Sequence, residues 1–211
     1  MFIVHPSHEP RKLTRTDHTA WTFSTITFID GPYLDVNTTT TTLNPNADTG
    51  TGVALVASTN LFAATDVGRL VSLPGGNATI TAFTDAQNVT VTINDTLSAT
   101  TATTNWALGA FSNTTGFPSV VTFFEQRLIF GATTNEPQSL FMSKSGDFEN
   151  FTAGTADDSA IIFQIASNRV NSIRYLAATR VLTIGTSGGE YVLSTTNDGP
   201  ITPTNAQIRK Y

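Results

Sequence analysis

Cysteine is absent from this sequence of 211 residues, so a disulfide framework, a thiolate zinc site and a cysteine nucleophile are excluded. Charged residues make up only 13% of the chain, and the helix formers Lys, Glu and Met are scarce. No long stretch has the 3.6-residue apolar period of an amphipathic helix. No apolar run reaches transmembrane length, and the N-terminal segment lacks the apolar core of a signal peptide. We therefore expect a soluble protein that is made in the cytoplasm.

Threonine is abundant instead, at roughly one residue in five or six. Its branched side chain suits pleated strands better than helices, so the composition predicts an all-β fold. The formal net charge of -5 argues against a general affinity for nucleic acid phosphates.

The strand and turn signals divide the chain into three regions. Residues 1–44 and 105–211 share one sequence pattern, in which apolar runs alternate with turn residues. Residues 38–52 are rich in Thr, Asn, Asp and Gly and are predicted to be a linker. Residues 45–104 are predicted to form a separate small β-barrel or sandwich, with strands at 53–57, 69–73, 78–83 and 89–93.

Two stretches, residues 118–151 and 173–194, repeat the order strand, turn, strand, glycine exit, strand. Aligning the two exits gives a period of about 50 residues, the size of one four-stranded propeller blade. A blade cannot bury both faces alone, so blades must stack on one another. The predicted fold is therefore all-β: partial β-propeller blades (residues 1–44 and 105–211) with an inserted small β-barrel or sandwich domain (residues 45–104).

Short segments in a fixed order resemble the tail nozzle proteins of short-tailed bacteriophages, also called tail tubular protein B or tail hub proteins. The matching segments are residues 4–6, 10–15, 30–33, 116–118, 123–131, 143–148, 150–151, 157–158, 185–186, 188–190 and 203–205. In the middle region, residues 66–70 and 106–109 resemble a small β-domain that is often inserted in such phage proteins.

The resemblance implies a structural virion protein: part of a nozzle ring that forms the distal DNA conduit and a platform for tail assembly. The expected partners are copies of the chain in a hexameric ring, the adaptor and the tail fibres, with viral DNA passing through without sequence-specific binding. No small-molecule substrate or cofactor is expected, and the location is the phage tail after synthesis in the host cytoplasm. Family members are several times longer, so the chain is expected to be a partial product.

Seven residues are expected to mark the repeated unit structurally: Arg127, Gly131, Gly146, Asp147, Phe148, Gly185 and Gly189. Arg127 follows the predicted hairpin turn, where it would hydrogen-bond carbonyls between neighbouring blades or pair with an acid. A simple surface arginine is the alternative.

Two groups of polar residues contain side chains that could carry chemistry. His5, His8 and His18 lie near acidic residues, but the prolines around them indicate an extended surface segment, so no metal site is expected. Asp157 and Asp158 are neighbours that would point to opposite faces of a strand, so we interpret them as a solvated turn. There is no phosphate loop and no nucleophile elbow, and no enzyme activity is expected.

Aromatic residues are expected to form a core and not a stacking platform, because they follow strand alternation without interleaved basic residues. They are Trp106, Phe111, Phe117, Phe123, Phe124 and Phe130. The alternative function is a glycan-binding, adhesin-like β module that acts through the middle region. That region contains only Phe62 and Phe83 as aromatic residues, which weakens the alternative.

Overall fold

A computed structural model describes residues 1–166, 169–196 and 199–211. Strands account for 47% and helix for 1%, so the protein is all-β, as predicted. The chain forms two compact units: residues 1–32 with 115–211, here the larger unit, and residues 33–114, the smaller unit. Within the described residues, no helix is long and apolar enough to cross a membrane.

The larger unit begins with a three-stranded antiparallel sheet in the order β1 (Phe2–His5), β2 (His8–Arg15) and β3 (Trp21–Thr25). The prediction of an extended surface segment missed the central strand β2, which contains Pro10. A proline is tolerated there because the pairing with β1 is irregular between Ile3 and His5, where no ladder N–H is needed. On the other side, the Pro10 carbonyl still accepts a hydrogen bond from the N–H of Ile26.

The smaller unit is a six-stranded antiparallel sheet curled into a half-barrel, with the order β4-β5-β8-β7-β6-β9. Its strands are β4 (Leu43–Pro45), β5 (Val53–Ala57), β6 (Leu70–Leu73), β7 (Gly76–Phe83), β8 (Asn88–Ile93) and β9 (Ala107–Leu108). Apolar side chains alternate inward along β5 and β8 and bury a core of their own. A single 3-10 turn spans Ala64–Asp66.

The predicted linker over residues 38–52 is wrong at Leu43–Pro45, which pairs with β5 as an edge strand. Leu43 is fully buried in the core of the smaller unit, although its neighbours in sequence are polar. A strand of three residues shows too little alternation to be recognised from the sequence. The two ends of the unit also pair: Tyr33 bridges Gly109, and the Leu34 N–H donates to the Leu108 carbonyl at 2.9 Å.

Two four-stranded antiparallel sheets complete the larger unit, each with its strands in chain order. The second sheet contains β10 (Val120–Phe124), β11 (Arg127–Gly131), β12 (Ser139–Met142) and β13 (Ile161–Gln164). The third sheet contains β14 (Ile173–Ala178), β15 (Leu182–Thr186), β16 (Gly189–Thr195) and β17 (Ala206–Lys210). The repeated pattern in the sequence predicted β10 to β12 and β14 to β16, and it missed β17, which has only half-buried or exposed residues.

The three sheets of the larger unit pack face to face. One face of the second sheet, with Ile129 and Met142, shares an apolar core with Leu182 and Leu193 of the third. Its other face meets the first sheet, where Phe2 contacts Phe123. The first strands of the sheets are neighbours, since β10 contacts both β1 and β14.

Candidate functional site

Arg127 lies at the start of β11 and is 1% exposed. Its guanidinium donates to five main-chain carbonyls. Nη1 binds the carbonyls of Ser143 at 2.7 Å, Asp158 at 3.3 Å and Ser159 at 2.6 Å. Nη2 binds those of Asp157 at 2.7 Å and Ile201 at 3.3 Å.

These five acceptors come from two sheets. Four belong to the end of β12 and the β12–β13 connection of the second sheet, and the Ile201 carbonyl precedes β17 of the third sheet. Arg127 therefore connects loops of both sheets through one planar cation, whose fork of donors suits several acceptors at once. We call Arg127 and its five carbonyl partners the Arg127 hub.

The hairpin turn before Arg127 is strained and is held from outside. Glu125 and Gln126 have positive φ angles of 46° and 59°, the conformation of a two-residue turn that normally favours Asn and Gly. The Glu125 carboxylate accepts a hydrogen bond from the Ile201 N–H at 2.6 Å. The Gln126 carbonyl accepts one from the Gly146 N–H at 2.8 Å. The turn is thus fixed by the same loops that form the hub.

Electrostatics around the hub follow from burial and from two carboxylates. Burial lowers the pKa of Arg127, and the nearby negative charges of Asp158 and Glu125 oppose that shift. Asp158 itself is exposed and pairs with Lys144 at 3.1 Å. The hydrogen bond and the charge of Lys144 lower the pKa of the Asp158 carboxyl.

Four of the seven predicted marker residues meet here. Besides Arg127, the turn from Lys144 to Asn150 brings Gly146 to the Gln126 carbonyl, places the Asp147 carboxylate 3.0 Å from the Asn150 side-chain nitrogen, and sets the Phe148 ring 5.0 Å from Phe123. Gly146 has a φ of 77°, which explains why glycine suits this position.

The other three marker residues lie away from the Arg127 hub. A Cβ on Gly131, at the end of β11, would lie 2.9 Å from a Leu140 methyl group. A Cβ on Gly185 would lie within the Tyr175 ring, and Gly189 has a φ of 146° beside the β15–β16 turn. These glycines permit close packing within the second and third sheets but do not contact the hub.

The aromatic core prediction is corrected at one residue. Trp106, Phe117, Phe124 and Phe130 are buried, and Phe111 is half-buried. Phe123, however, is 44% exposed, because its face of β10 lies at the margin of the ring cluster shared with the first sheet. In the centre of that cluster, Phe130 lies 6.1 Å from Phe28 and 5.9 Å from Phe151.

The structure places the histidines and the aspartate pair noted in the sequence at exposed positions of the larger unit. Asp157 meets Arg127 through its carbonyl, and the Asp157 and Asp158 side chains face solvent. The rings of His5 and His8 lie 5.0 Å apart across the turn between β1 and β2. Across the described part of the chain, no three His, Asp or Glu side chains are grouped so that they could hold a metal ion.

The sequence reasoning missed a second buried arginine, in the smaller unit. Arg69 donates to the Asp66 carboxylate at 2.9 Å and to the Gly109 carbonyl at 2.7 Å. Asp66 also accepts from the Thr114 hydroxyl at 2.7 Å and from the Ala63 N–H at 2.9 Å. Burial lowers the pKa of Arg69, and Asp66 opposes the shift. The available signal was that Arg69 is the only Lys or Arg between residues 33 and 114.

Comparison of the sequence with protein-family models and with curated proteins gives no match in either set.

Proposed function

We propose that the larger unit is part of a β-propeller, and that the chain is a structural subunit of a phage tail nozzle with a small β-domain inserted between propeller strands. Two consecutive four-stranded sheets, each in simple chain order, support the propeller interpretation. They pack face to face, and their first strands are neighbours, as inner strands around a propeller axis are.

The observation that carries the proposal is the meeting of Arg127, Gly146, Asp147 and Phe148 at one end of the second sheet. The resemblance to tail nozzle proteins singled out these residues by their order in the sequence. In the structure their roles differ: Arg127 binds five carbonyls, Gly146 supports the hairpin turn, and Phe148 contacts Phe123. A shared location supports the interpretation that these residues form one structural unit.

The proposed role is mechanical and not catalytic. In a nozzle ring, rigid sheets would form the wall of a conduit, and the Arg127 hub would keep neighbouring sheets in register. Copies of the chain would form the ring, expected to be hexameric, between the adaptor and the tail fibres.

The charge distribution of the smaller unit supports a wall that does not retain DNA. Its one basic residue, Arg69, is buried against Asp66, whereas four acids remain without a basic partner in the unit: Asp35, Asp48, Asp85 and Asp95. Phosphate contacts by Lys and Arg supply most of the non-specific affinity of proteins for DNA. A surface without such side chains would let a duplex pass without binding it.

The proposal is tested in virions made from the genome that encodes the chain. A gold-labelled antibody against the chain should mark the distal end of the tail in electron micrographs. Particles made without the gene should lose packaged DNA and infectivity, and supply of the wild-type chain should restore both. An Arg127→Met chain should restore neither, whereas Val56→Gln, an exposed change in the smaller unit, should restore both. Infective particles with normal tails but without the protein would contradict the proposal.

The glycan-binding alternative has less support. Phe62 is buried in the core of the smaller unit, and Phe83 packs against that core. Neither ring is therefore placed to stack on a sugar. Specific binding of the chain to a glycan array, lost on substitution of exposed residues of the smaller unit, would favour this alternative.

A further inference from the structure

The first sheet presents an aromatic face away from the second sheet. Side chains of β2 and β3 alternate between the two faces of the first sheet. The face that contains Lys12 points toward the second sheet, where Lys12 pairs with Glu149. The opposite set, here the N-terminal face, consists of Ile3, Arg11, Leu13, Arg15, Trp21 and Phe23. Trp21 and Phe23 are 57% and 56% exposed.

The N-terminal face is also cationic. The guanidinium of Arg11 lies 5.5 Å from the centre of the Phe23 ring, and that of Arg15 lies 5.8 Å from the Trp21 ring. Such pairs stabilise each other weakly when exposed and more strongly when water is removed. The face therefore combines large apolar side chains with positive charge, and it suits a partner surface with small side chains and an acid.

The third sheet presents a surface of that kind away from the second sheet. Its inward side chains, such as Leu182 and Leu193, enter the shared core. The outward side chains, here the C-terminal face, lie in two registered rows: Ala177, Thr183, Val192 and Arg209, and Tyr175, Gly185 and Glu190. Glu190 is exposed and accepts a hydrogen bond from the Tyr175 hydroxyl, and the Arg209 guanidinium binds Gln207.

We propose that the N-terminal face of one copy of this chain binds the C-terminal face of another copy. Face-to-face packing of sheets already occurs twice inside the larger unit, and the contact between copies would repeat it. The large rings of Trp21 and Phe23 would lie on the small side chains of Thr183 and Val192. Arg11 and Arg15 would approach Glu190.

A contact between two different faces is head-to-tail, and head-to-tail contacts generate closed rings or open filaments. The inference rests on the proposed function, because it names the contact between subunits of the proposed ring. It is tested on the purified chain, independently of the virion. A chain that lacks this contact can still be a nozzle protein that assembles through other surfaces.

The first test measures mass by light scattering after gel filtration at about 100 µM. The wild-type chain should run as an oligomer. Trp21→Gln/Phe23→Gln, which changes only exposed side chains, should be monomeric, and so should Thr183→Lys/Val192→Lys, which places cations opposite Arg11 and Arg15. Ile162→Gln, a change of an exposed apolar side chain on β13 outside both faces, should keep the wild-type mass. A monomeric wild-type chain, or an oligomer unaffected by both double variants, would overturn the inference.

The second test mixes the two double variants in equal amounts. Each variant keeps one intact face, so the mixture should give a dimer with one junction, although each variant alone is monomeric. A mixture that stays monomeric would mean that the faces do not bind each other. A fluorescent oligothymidine that binds the wild-type chain at least tenfold more tightly than the Trp21→Gln/Phe23→Gln variant, with no self-association, would assign the N-terminal face to nucleic acid and overturn the inference.

Discussion

Each unit of the protein buries an arginine, but the two are neutralised by different means. In the smaller unit, Arg69 faces the carboxylate of Asp66, three residues away in the chain. In the larger unit, Arg127 faces only the partial charges of main-chain carbonyls, with the carboxylates of Asp158 and Glu125 further away. The first arrangement is a local ion pair that can be replaced as a pair. The second joins distant segments, and its acceptors cannot be removed by substitution.

The largest effect is expected for Arg127→Met. It should lower the free energy of unfolding of the larger unit by about 3–5 kcal/mol, because buried carbonyls lose their donor. Arg127→Lys should lose less, since one ammonium keeps the charge but cannot serve five acceptors. Urea unfolding gives the loss, and hydrogen exchange by mass spectrometry should confine it to residues 1–32 and 115–211. An unchanged midpoint would refute the structural role of the hub.

The ion pair of the smaller unit should behave differently when both partners are replaced. Arg69→Met alone should cost about 3 kcal/mol, since it leaves the Asp66 carboxylate buried without its cation. Arg69→Met/Asp66→Leu should recover most of that loss. The coupling energy from urea unfolding of the two single variants and the double variant decides the point. If the double variant lost as much free energy of unfolding as the two single variants together, Arg69 and Asp66 would not be coupled. The contrast between the two buried arginines would then fail.

The hairpin turns of both units should favour glycine, but only the turn of the smaller unit already has it. Gln126→Gly should stabilise the larger unit by about 1 kcal/mol, because an exposed side chain at positive φ is replaced by a residue that adopts this conformation without strain. Gly75→Ala in the smaller unit should destabilise it by more, since Gly75 has a φ of 91° and its Cβ would lie 2.5 Å from the Ser98 nitrogen. Thermal unfolding measures both. Loss of stability in Gln126→Gly would show that the turn is not strained.

The smallest effects are expected from two exposed carboxylates with lowered pKa values. Lys144 lowers the pKa of Asp158 by a hydrogen bond and by its charge, whereas Asn88 and main-chain N–H groups lower that of Asp85 by hydrogen bonds. Each contributes stability above the pKa of the unfolded chain and loses it as the pH falls through the lower folded value. Salt at 1 M should raise the pKa of Asp158 more than that of Asp85, because it screens the charge of Lys144. NMR titration of the carboxyl groups measures both pKa values. Equal shifts would contradict this difference.

The sequence predicted local elements better than long-range ones. Strand β5 was predicted with its observed bounds because it is a short continuous apolar run between Gly52 and the polar residues that start at Ser58. Strand β2 was missed because a proline in a central strand is tolerated only at an irregularity that depends on its partner strand. The edge strands β4 and β17 were missed because one is too short and the other is too exposed to show a clear pattern.

The same limit applies to the candidate site. Arg127 was singled out from its position after a hairpin, and carbonyl binding was one of the interpretations considered. The identity of its acceptors could not be predicted, because main-chain carbonyls carry no sequence signal. The Arg69–Asp66 pair could have been found from the isolation of one basic residue in an acidic stretch. The exposure of Phe123 could not, since it depends on where the ring cluster ends.

The pairing of Tyr33 with Gly109 has a consequence for the order of folding. The larger unit must bring Asp30 to Phe151, whose N–H donates to the Asp30 carbonyl at 2.7 Å, across more than a hundred residues. Closing so long a loop of unfolded chain is slow and costs entropy. If residues 33–114 fold first, the pairing of Tyr33 with Gly109 removes the stretch between these two residues from that loop and shortens it to well under half its length. During synthesis the smaller unit emerges before β10, so it can fold before the second sheet is available to pack against the first.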